Sequence, residues 1–412
     1  MRLLAVGLLF LFSSVTGAQV RAVVPPQSGE HSLYSPGADA GGYLYVSGQG
    51  PRRSDGAMPA TFAEQCRQSL NNLKAVVEAA GLTIDHVVYV QVYLEDMSKY
   101  GDMNRVFGEF FGKIPPARAV LGVARVPHPP VQITAVAVRD LSDRRAIRPS
   151  DSPAGDTASP GILTHDRLFV SGMLGADAAG KVPDDPAAQV DLALDHLQSV
   201  LRAAGIELGN MVFVNPYLTS EVPMRTMNEH YARRFEFGNT PARATIEVSS
   251  LPGGAHIEYT GVAVRDLRQR RAVRPKNMPP SPTASPCVFA GDTLYCSAKS
   301  GFIPGPHSGV YASTTPHQLR QTMRNQLDNL EEAEMNFEEI VSTTIYLDDL
   351  AELHAFDEVY AQYLGSPLPA RTVVQQIAPV KRTDGQSTDK KDGTYPDFEQ
   401  VSLIAVRKSF HQ

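Results

Sequence analysis

The chain has little cysteine and little net charge, and both shortages exclude whole classes of protein. Cys66, Cys287 and Cys296 are the only cysteines in 412 residues. Three is too few, and an odd number, for a disulfide framework, and their placement does not read as a metal site. Lys and Arg number 38 against 44 Asp and Glu, a net charge of −6 at pH 7, which gives no general attraction for nucleic acid or an anionic membrane. An evident histidine pair and an aromatic-interleaved basic run are missing too, so no nucleic-acid partner is expected. The leading apolar run, residues 3–12, is shorter than a normal transmembrane helix requires.

That run has the marks of a secretory leader. Arg2 supplies a positive start, Leu3 to Phe12 the apolar stretch, and Thr16-Gly17-Ala18 a small-residue cleavage site. Removal of residues 1–18 after Ala18 is expected, with a periplasmic or secreted product. No cysteine follows the run to carry a lipid, so no membrane anchor is expected. Export to an oxidising compartment bears on Cys287 and Cys296, which flank a hairpin pattern with Gly291-Asp292 at its turn. A two-residue turn pairs Ala290 with Thr293 and makes the two cysteines cross-strand partners, close enough for a disulfide. Cys66 is expected as a single buried thiol.

What the chain does contain, it contains three times. Pro116-Ala117-Arg118, Pro241-Ala242-Arg243 and Pro369-Ala370-Arg371 place arginines 125 and 128 residues apart. Leu44-Tyr45-Val46-Ser47-Gly48, Leu168-Phe169-Val170-Ser171-Gly172 and Leu294-Tyr295-Cys296-Ser297-Ala298 place serines 124 and 126 apart. A period of this length is domain-sized, not the 20–50 residues of a solenoid, so each copy should carry its own core. The expected domains are 19–140, 151–266 and 277–412, joined by arginine-rich connectors at 141–150 and 267–276. These connectors read as solvated segments; the alternative is a basic collar for an acidic partner. The third copy alone carries a charged insertion, 381–397, read as a loop.

Within the first copy, Leu44-Tyr45-Val46 reads as a strand. Phe62, Cys66, Leu70, Leu73, Val77 and Ala80 then recur at helical spacing until Gly81. Val88, Val90, Val92 and Leu94 alternate as a strand, Met103, Val106, Phe107, Phe110 and Phe111 trace a second helix, and residues 131–138 read as a buried strand. The pattern is roughly ββαβαββ, an α+β layer with both helices on one face of a sheet.

These phrases resemble the Rid family, the YjgF-like or endoribonuclease L-PSP-like enamine/imine deaminases. Tyr34-Ser35-Pro36, Val46-Ser47-Gly48-Gln49, Asn72-Leu73 and Pro116-Ala117-Arg118 match the family's phrases in order, and the match recurs over nearly all of the chain. The resemblance implies three tandem chorismate-mutase-like domains. A family that assembles as a trimer with clefts between subunits would here be one chain forming an intramolecular pseudo-trimer.

The resemblance also implies hydrolysis of small 2-imino or 2-enamino acids to 2-keto acids and ammonia, with neither metal nor organic cofactor. Arg118, Arg243 and Arg371 would hold the carboxylate of a small ligand, because a guanidinium donates two parallel hydrogen bonds and stays charged. Ser47, Ser171 and Ser297 would line the same clefts, with Tyr34, Asn104 and Asn228. The second copy has Ala158 and the third Ala284 where the first has Tyr34, and Asp357 replaces the helix asparagine. On these grounds copy one is expected to be the most family-like and copy three the least. The family's closing strand reads Val-Glu-Ile-Glu-Ala, and its second glutamate serves the attacking water. Taken against that residue, the chain offers Thr134, Thr260 and Ser402, and a hydroxyl cannot exchange protons near neutral pH as a carboxylate does. Beside the deaminase reading stand a non-catalytic binder of small carboxylates and, last, a ribonuclease.

Overall fold

Residues 20–29, 33–150, 157–303, 310–377 and 397–408 are described by a computed structural model. Among these residues six α-helices, in three pairs, lie on the outside: α1 (Phe62–Ala79) and α2 (Tyr100–Phe110), α3 (Pro186–Ala203) and α4 (Met224–Ala232), α5 (Thr315–Glu332) and α6 (Leu353–Tyr360). Local chemistry sets their limits. Thr61 and Glu64 form a reciprocal capping box at the start of α1, and Asp185 caps α3, which has proline in its first turn. Gly81 and Gly205, at φ 76° and 79°, turn the chain after α1 and α3 in a conformation that favours glycine.

Each copy builds one sheet in the same spatial order. In the first it runs Arg21–Val23, Gly37–Ala40, Tyr43–Gln49, Val131–Val138, Val87–Leu94, Ala117–Gly122, antiparallel except for the last, parallel pair. The third repeats it as Arg270–Val273, Cys287–Ala290, Thr293–Ser300, Glu399–Val406, Ile340–Leu347, Ala370–Gln375. The second repeats it too, with its final strand broken into Ala242–Arg243 and Ile246–Glu247. The arginine-rich connectors are therefore structured in part. Arg145–Ile147 and Arg270–Val273 are the first strands of the sheets that follow them, and Arg144 donates to the carbonyls of Val87 and Ile114. The alternation Ala146/Ile147 and Ala272/Val273 pairs as a strand because the following hairpin presents a free edge.

Strand alternation explains how the copies assemble. In Val131–Val138, Val131, Ile133, Ala135 and Ala137 pack under α1 and α2, while Val136 and Val138 turn the other way. That inward face meets its counterparts: one apolar cluster joins Tyr43, Tyr45 and Ala117 to Ile162, Phe169, Val341, Ala370 and Val406, and another joins Tyr93 and Leu121 to Tyr217, Leu251, Tyr346 and Val374. Both clusters draw on all three copies, which makes the chain a pseudo-trimer closed around a shared axis.

The ring closes through one repeated joint. The Arg118 N–H donates to Ser171 Oγ at 2.7 Å, Arg243 to Ser297 at 2.8 Å and Arg371 to Ser47 at 2.8 Å. Each hydroxyl in turn donates at 2.6 Å to a carbonyl of its own copy, on Ser159, Ser285 and Ser35. Cys287 and Cys296 sit opposite each other and are joined by a disulfide, and Cys66 is buried on α1. The 1–18 leader and all but the last residue of the 381–397 insertion lie outside the described residues. Among the described residues no helix is long and apolar enough to cross a membrane.

Candidate functional site

The serine joint brings an arginine of one copy against the next copy, so every cleft is a two-copy structure. Arg118 belongs with Ser171, Arg243 with Ser297, and Arg371 with Ser47. This regroups the expected residues: Tyr34 lies 5.3 Å from the Arg371 guanidinium, not beside Arg118. The serines also prove less free than expected, since each spends its one proton on a carbonyl and accepts from the neighbouring backbone, as an interface staple does.

The closing-strand hydroxyls occupy another place. Thr134, Thr260 and Ser402 line a cavity of about 120 Å³ on the pseudo-threefold axis, with Tyr45, Phe169 and Tyr295 around them. Each hydroxyl donates to a carbonyl of the adjacent strand: Thr134 to Val46, Thr260 to Val170 and Ser402 to Cys296. Assigning them to the arginine clefts is thus corrected. The residues that reach the clefts lie two positions earlier on the same face: Gln132, Glu258 and Gln400. Two residues of strand span about 7 Å, which separates the axis from the cleft.

Glu258 makes the cleft between copies one and two different from the others. This cleft, of about 520 Å³, is lined by Arg118, Tyr100, Thr157, Ser171, Gly172 and Glu258 among others. The guanidinium donates to Asn104 Oδ1 at 2.6 Å and Thr157 Oγ1 at 3.2 Å, and lies 4.8 Å from the Phe107 ring. No ion pair joins it to a carboxylate among the described residues. Glu258 is 1% exposed, accepts from the Val120 N–H, and keeps Oε1 without a hydrogen-bond partner. Burial pushes its carboxyl up to about 8, opposed by the Arg118 charge. Gly172 makes room for it: a Cβ there would stand 1.9 Å from Glu258 Oε1.

The Arg371 cleft is closed on itself. Asp357 Oδ1 holds the guanidinium at 2.6 Å, with both side chains largely buried, and Gln132 donates to the Val373 carbonyl. The negative charge expected of Asp357 is thus present and already paired. In the remaining cleft Arg243 donates to Asn228 Oδ1 at 2.7 Å and lies 5.3 Å from the Tyr231 ring; Ser297, Ala298, Lys299, Asp397 and Gln400 complete the wall. The expectation that copy one supplies the most family-like site gives way to a cleft that needs copies one and two together. Among the described residues no group of His, Cys, Asp and Glu is arranged to hold a metal.

A ring of three α+β domains, with an arginine anchored at each joint, defines the class. The endoribonuclease L-PSP family model matches residues 29–139, 151–265 and 277–382, and the chain belongs to that family, within its Rid group. Similar proteins include the 2-iminobutanoate/2-iminopropanoate deaminase of Escherichia coli, 40% identical over 111 residues, which are 26% of this chain and 87% of the relative. A RutC family protein of Pyrococcus horikoshii is 37% identical over 110 residues, covering 26% and 87%. Among solved structures, the YjgF gene product of Escherichia coli is 35% identical and matches 29% of this chain and 99% of its own, with a TM-score of 0.28.

Proposed function

We propose that the Arg118 cleft hydrolyses small 2-imino acids, and their 2-enamino tautomers, to 2-oxo acids and ammonia. The observation that carries this is Glu258, a buried carboxyl with a free oxygen, in one cleft with a guanidinium that no carboxylate neutralises. The relatives named 2-iminobutanoate/2-iminopropanoate deaminase, from Escherichia coli and Rattus norvegicus, support the reaction class. Arg118 holds the substrate carboxylate and so fixes the imino carbon. Neutral Glu258 gives its proton to the imino nitrogen. The resulting carboxylate takes a proton from water as the oxygen bonds to carbon, giving a carbinolamine, which expels ammonia and leaves the 2-oxo acid. A carboxyl near pKa 8 can serve both steps at neutral pH. The Arg371 cleft, its cation spent on Asp357, takes no part, and the Arg243 cleft, with Gln400 at the strand position of Glu258, is a carboxylate binder. One guanidinium and one carboxyl give an endoribonuclease reading no support.

The site of action is also part of the proposal. The leader composition of residues 1–18 and the Cys287–Cys296 disulfide both favour an oxidising compartment outside the cytoplasm; N-terminal sequencing of exported material checks it. For the reaction, 2-iminopropanoate is generated in situ by an amino-acid oxidase and its decay followed with and without the protein. Accelerated decay is expected, and an unchanged decay overturns the proposal.

A further inference from the structure

Among the described residues the Arg243 cleft is lined by an amine, and the Arg118 cleft is not. Lys299 stands two residues past the serine staple, at the position that is Gln49 in copy one and Met173 in copy two. It lines the same cavity as Arg243, about 490 Å³ in volume. Among the described residues no carboxylate pairs with its ammonium and no acceptor engages it. A lysine facing water costs little; one set in the wall of a cleft, without a counterion, is held in a destabilised charged state. Burial lowers its pKa to about 8, so about a tenth is free amine at pH 7, far more than for an exposed lysine. Asp397 lines the same cavity, and burial, with the nearby Asp348, pushes its carboxyl up to about 8, leaving a proton available there.

We infer that the cleft between copies two and three captures 2-oxo acids covalently, with Arg243 holding the carboxylate and Lys299 Nζ forming a Schiff base with the neighbouring carbonyl. The Nζ lone pair attacks the carbonyl carbon and forms a C–N bond while the π electrons move to oxygen. That oxygen takes up two protons, one from the nitrogen and one from the Asp397 carboxyl or solvent. It leaves as water, and the nitrogen lone pair closes the C=N bond. The proton left on the iminium nitrogen returns to the Asp397 carboxylate or to solvent, so amine and ketone become imine and water, with no oxidant or reductant consumed. The ligand class is the one the Arg118 cleft is proposed to release, but the inference stands on Arg243 and Lys299 and does not need Glu258 to act.

The test is reductive trapping on the full chain. Pyruvate is added, the imine is reduced with cyanoborohydride, and peptides are mapped by mass spectrometry. An N-carboxyethyl adduct concentrated on Lys299 is expected. It should disappear in Lys299→Gln and fall at least about tenfold in Arg243→Ala, in line with a lost charge-assisted contact. Circular dichroism and elution volume establish that each variant is folded, and Arg243→Lys, which keeps the charge, provides a second variant. No adduct on Lys299, or one whose yield is the same without Arg243, overturns the inference. Imine hydrolysis by the same preparation, measured separately, tells failure here from failure of the Arg118 reading.

Discussion

The Arg118 and Arg371 clefts share a backbone joint almost to the ångström and differ in where their charges go. Each guanidinium meets a helix residue at 2.6 Å, but that residue is Asn104 in one and Asp357 in the other. Each closing strand sends a side chain to the same place, Glu258 in one and Gln132 in the other. The neutral asparagine leaves Arg118 its charge for a ligand, and the glutamate adds an exchangeable proton. In the other cleft the aspartate satisfies the arginine internally, and the glutamine bonds to backbone. Three fused copies can diverge in this way because the joint is made by main chain and serine, so side-chain chemistry changes at one cleft without opening the ring.

The sharpest way to break the comparison is to remove the acid. Glu258→Gln keeps shape and burial, and should lower imine hydrolysis by about 10²–10⁴-fold, the usual worth of a positioned acid–base group. Gln132→Glu, the reciprocal change beside Arg371, should add nothing measurable. Equal losses from altering Glu258 and Gln132 would mean the clefts are not specialised.

Next comes the anchor. Arg118→Ala should reduce kcat/KM about ten- to hundredfold, the worth of a charge-assisted contact of about 1.5–3 kcal/mol. Arg371→Ala should leave kcat/KM unchanged while costing stability, since it strands a mostly buried Asp357. Initial rates over a substrate series, with urea unfolding alongside, separate the two effects.

How much of this was legible beforehand follows from the period and the pleat. The threefold repeat, the α+β pattern, the arginines, the serines and the register of Cys287 with Cys296 are properties of spacing, which sequence carries directly. The cleft partners are not. Which copy's arginine faces which copy's serine depends on the closure of the ring, so the repeat alone does not pair Tyr34 with Arg371. Thr134, Thr260 and Ser402 were placed on the correct face but one side-chain position too far along the strand. The signal for Glu258 was present: it aligns with the first glutamate of the family's Val-Glu-Ile-Glu-Ala phrase, and Gly172, facing it across the sheet, leaves it space.

The pH dependence tests the state of that acid. Burial raises the Glu258 pKa from 4.5 to about 8, so the folded protein holds a proton that the unfolded chain has already released. The carboxyl therefore costs nothing below about pH 4.5, its penalty grows as pH rises toward 8, and it is fully present above that. Hydrolysis, which needs the neutral acid, should fall through pH 8 by up to about tenfold per unit, and Glu258→Gln should be flat there. The same variant should gain relative stability between pH 5 and 8 in urea titrations. A rate that rises through pH 8 would assign Glu258 as base only.

The smallest expected effect is the one that asks why the third cleft is silent. Asp357→Asn restores the residue type that copies one and two have, and Asn104 and Asn228 show that a guanidinium at this joint is held by an amide oxygen at 2.6–2.7 Å. The fold should therefore survive with a loss of about 1 kcal/mol, because the buried arginine keeps a hydrogen-bond partner while losing its counterion. Freed of the aspartate, Arg371 should accept an added carboxylate. Calorimetric titration with propionate, on a background of Arg118→Ala and Arg243→Ala so that only this cleft is read, should show a weak site that the same background with Asp357 lacks. If no site appears, charge is not what silences the cleft. The Tyr34 ring, packed 5.3 Å from the guanidinium, would then be the barrier, and Tyr34→Ala, which reproduces the Ala158 and Ala284 of the other copies, should open it.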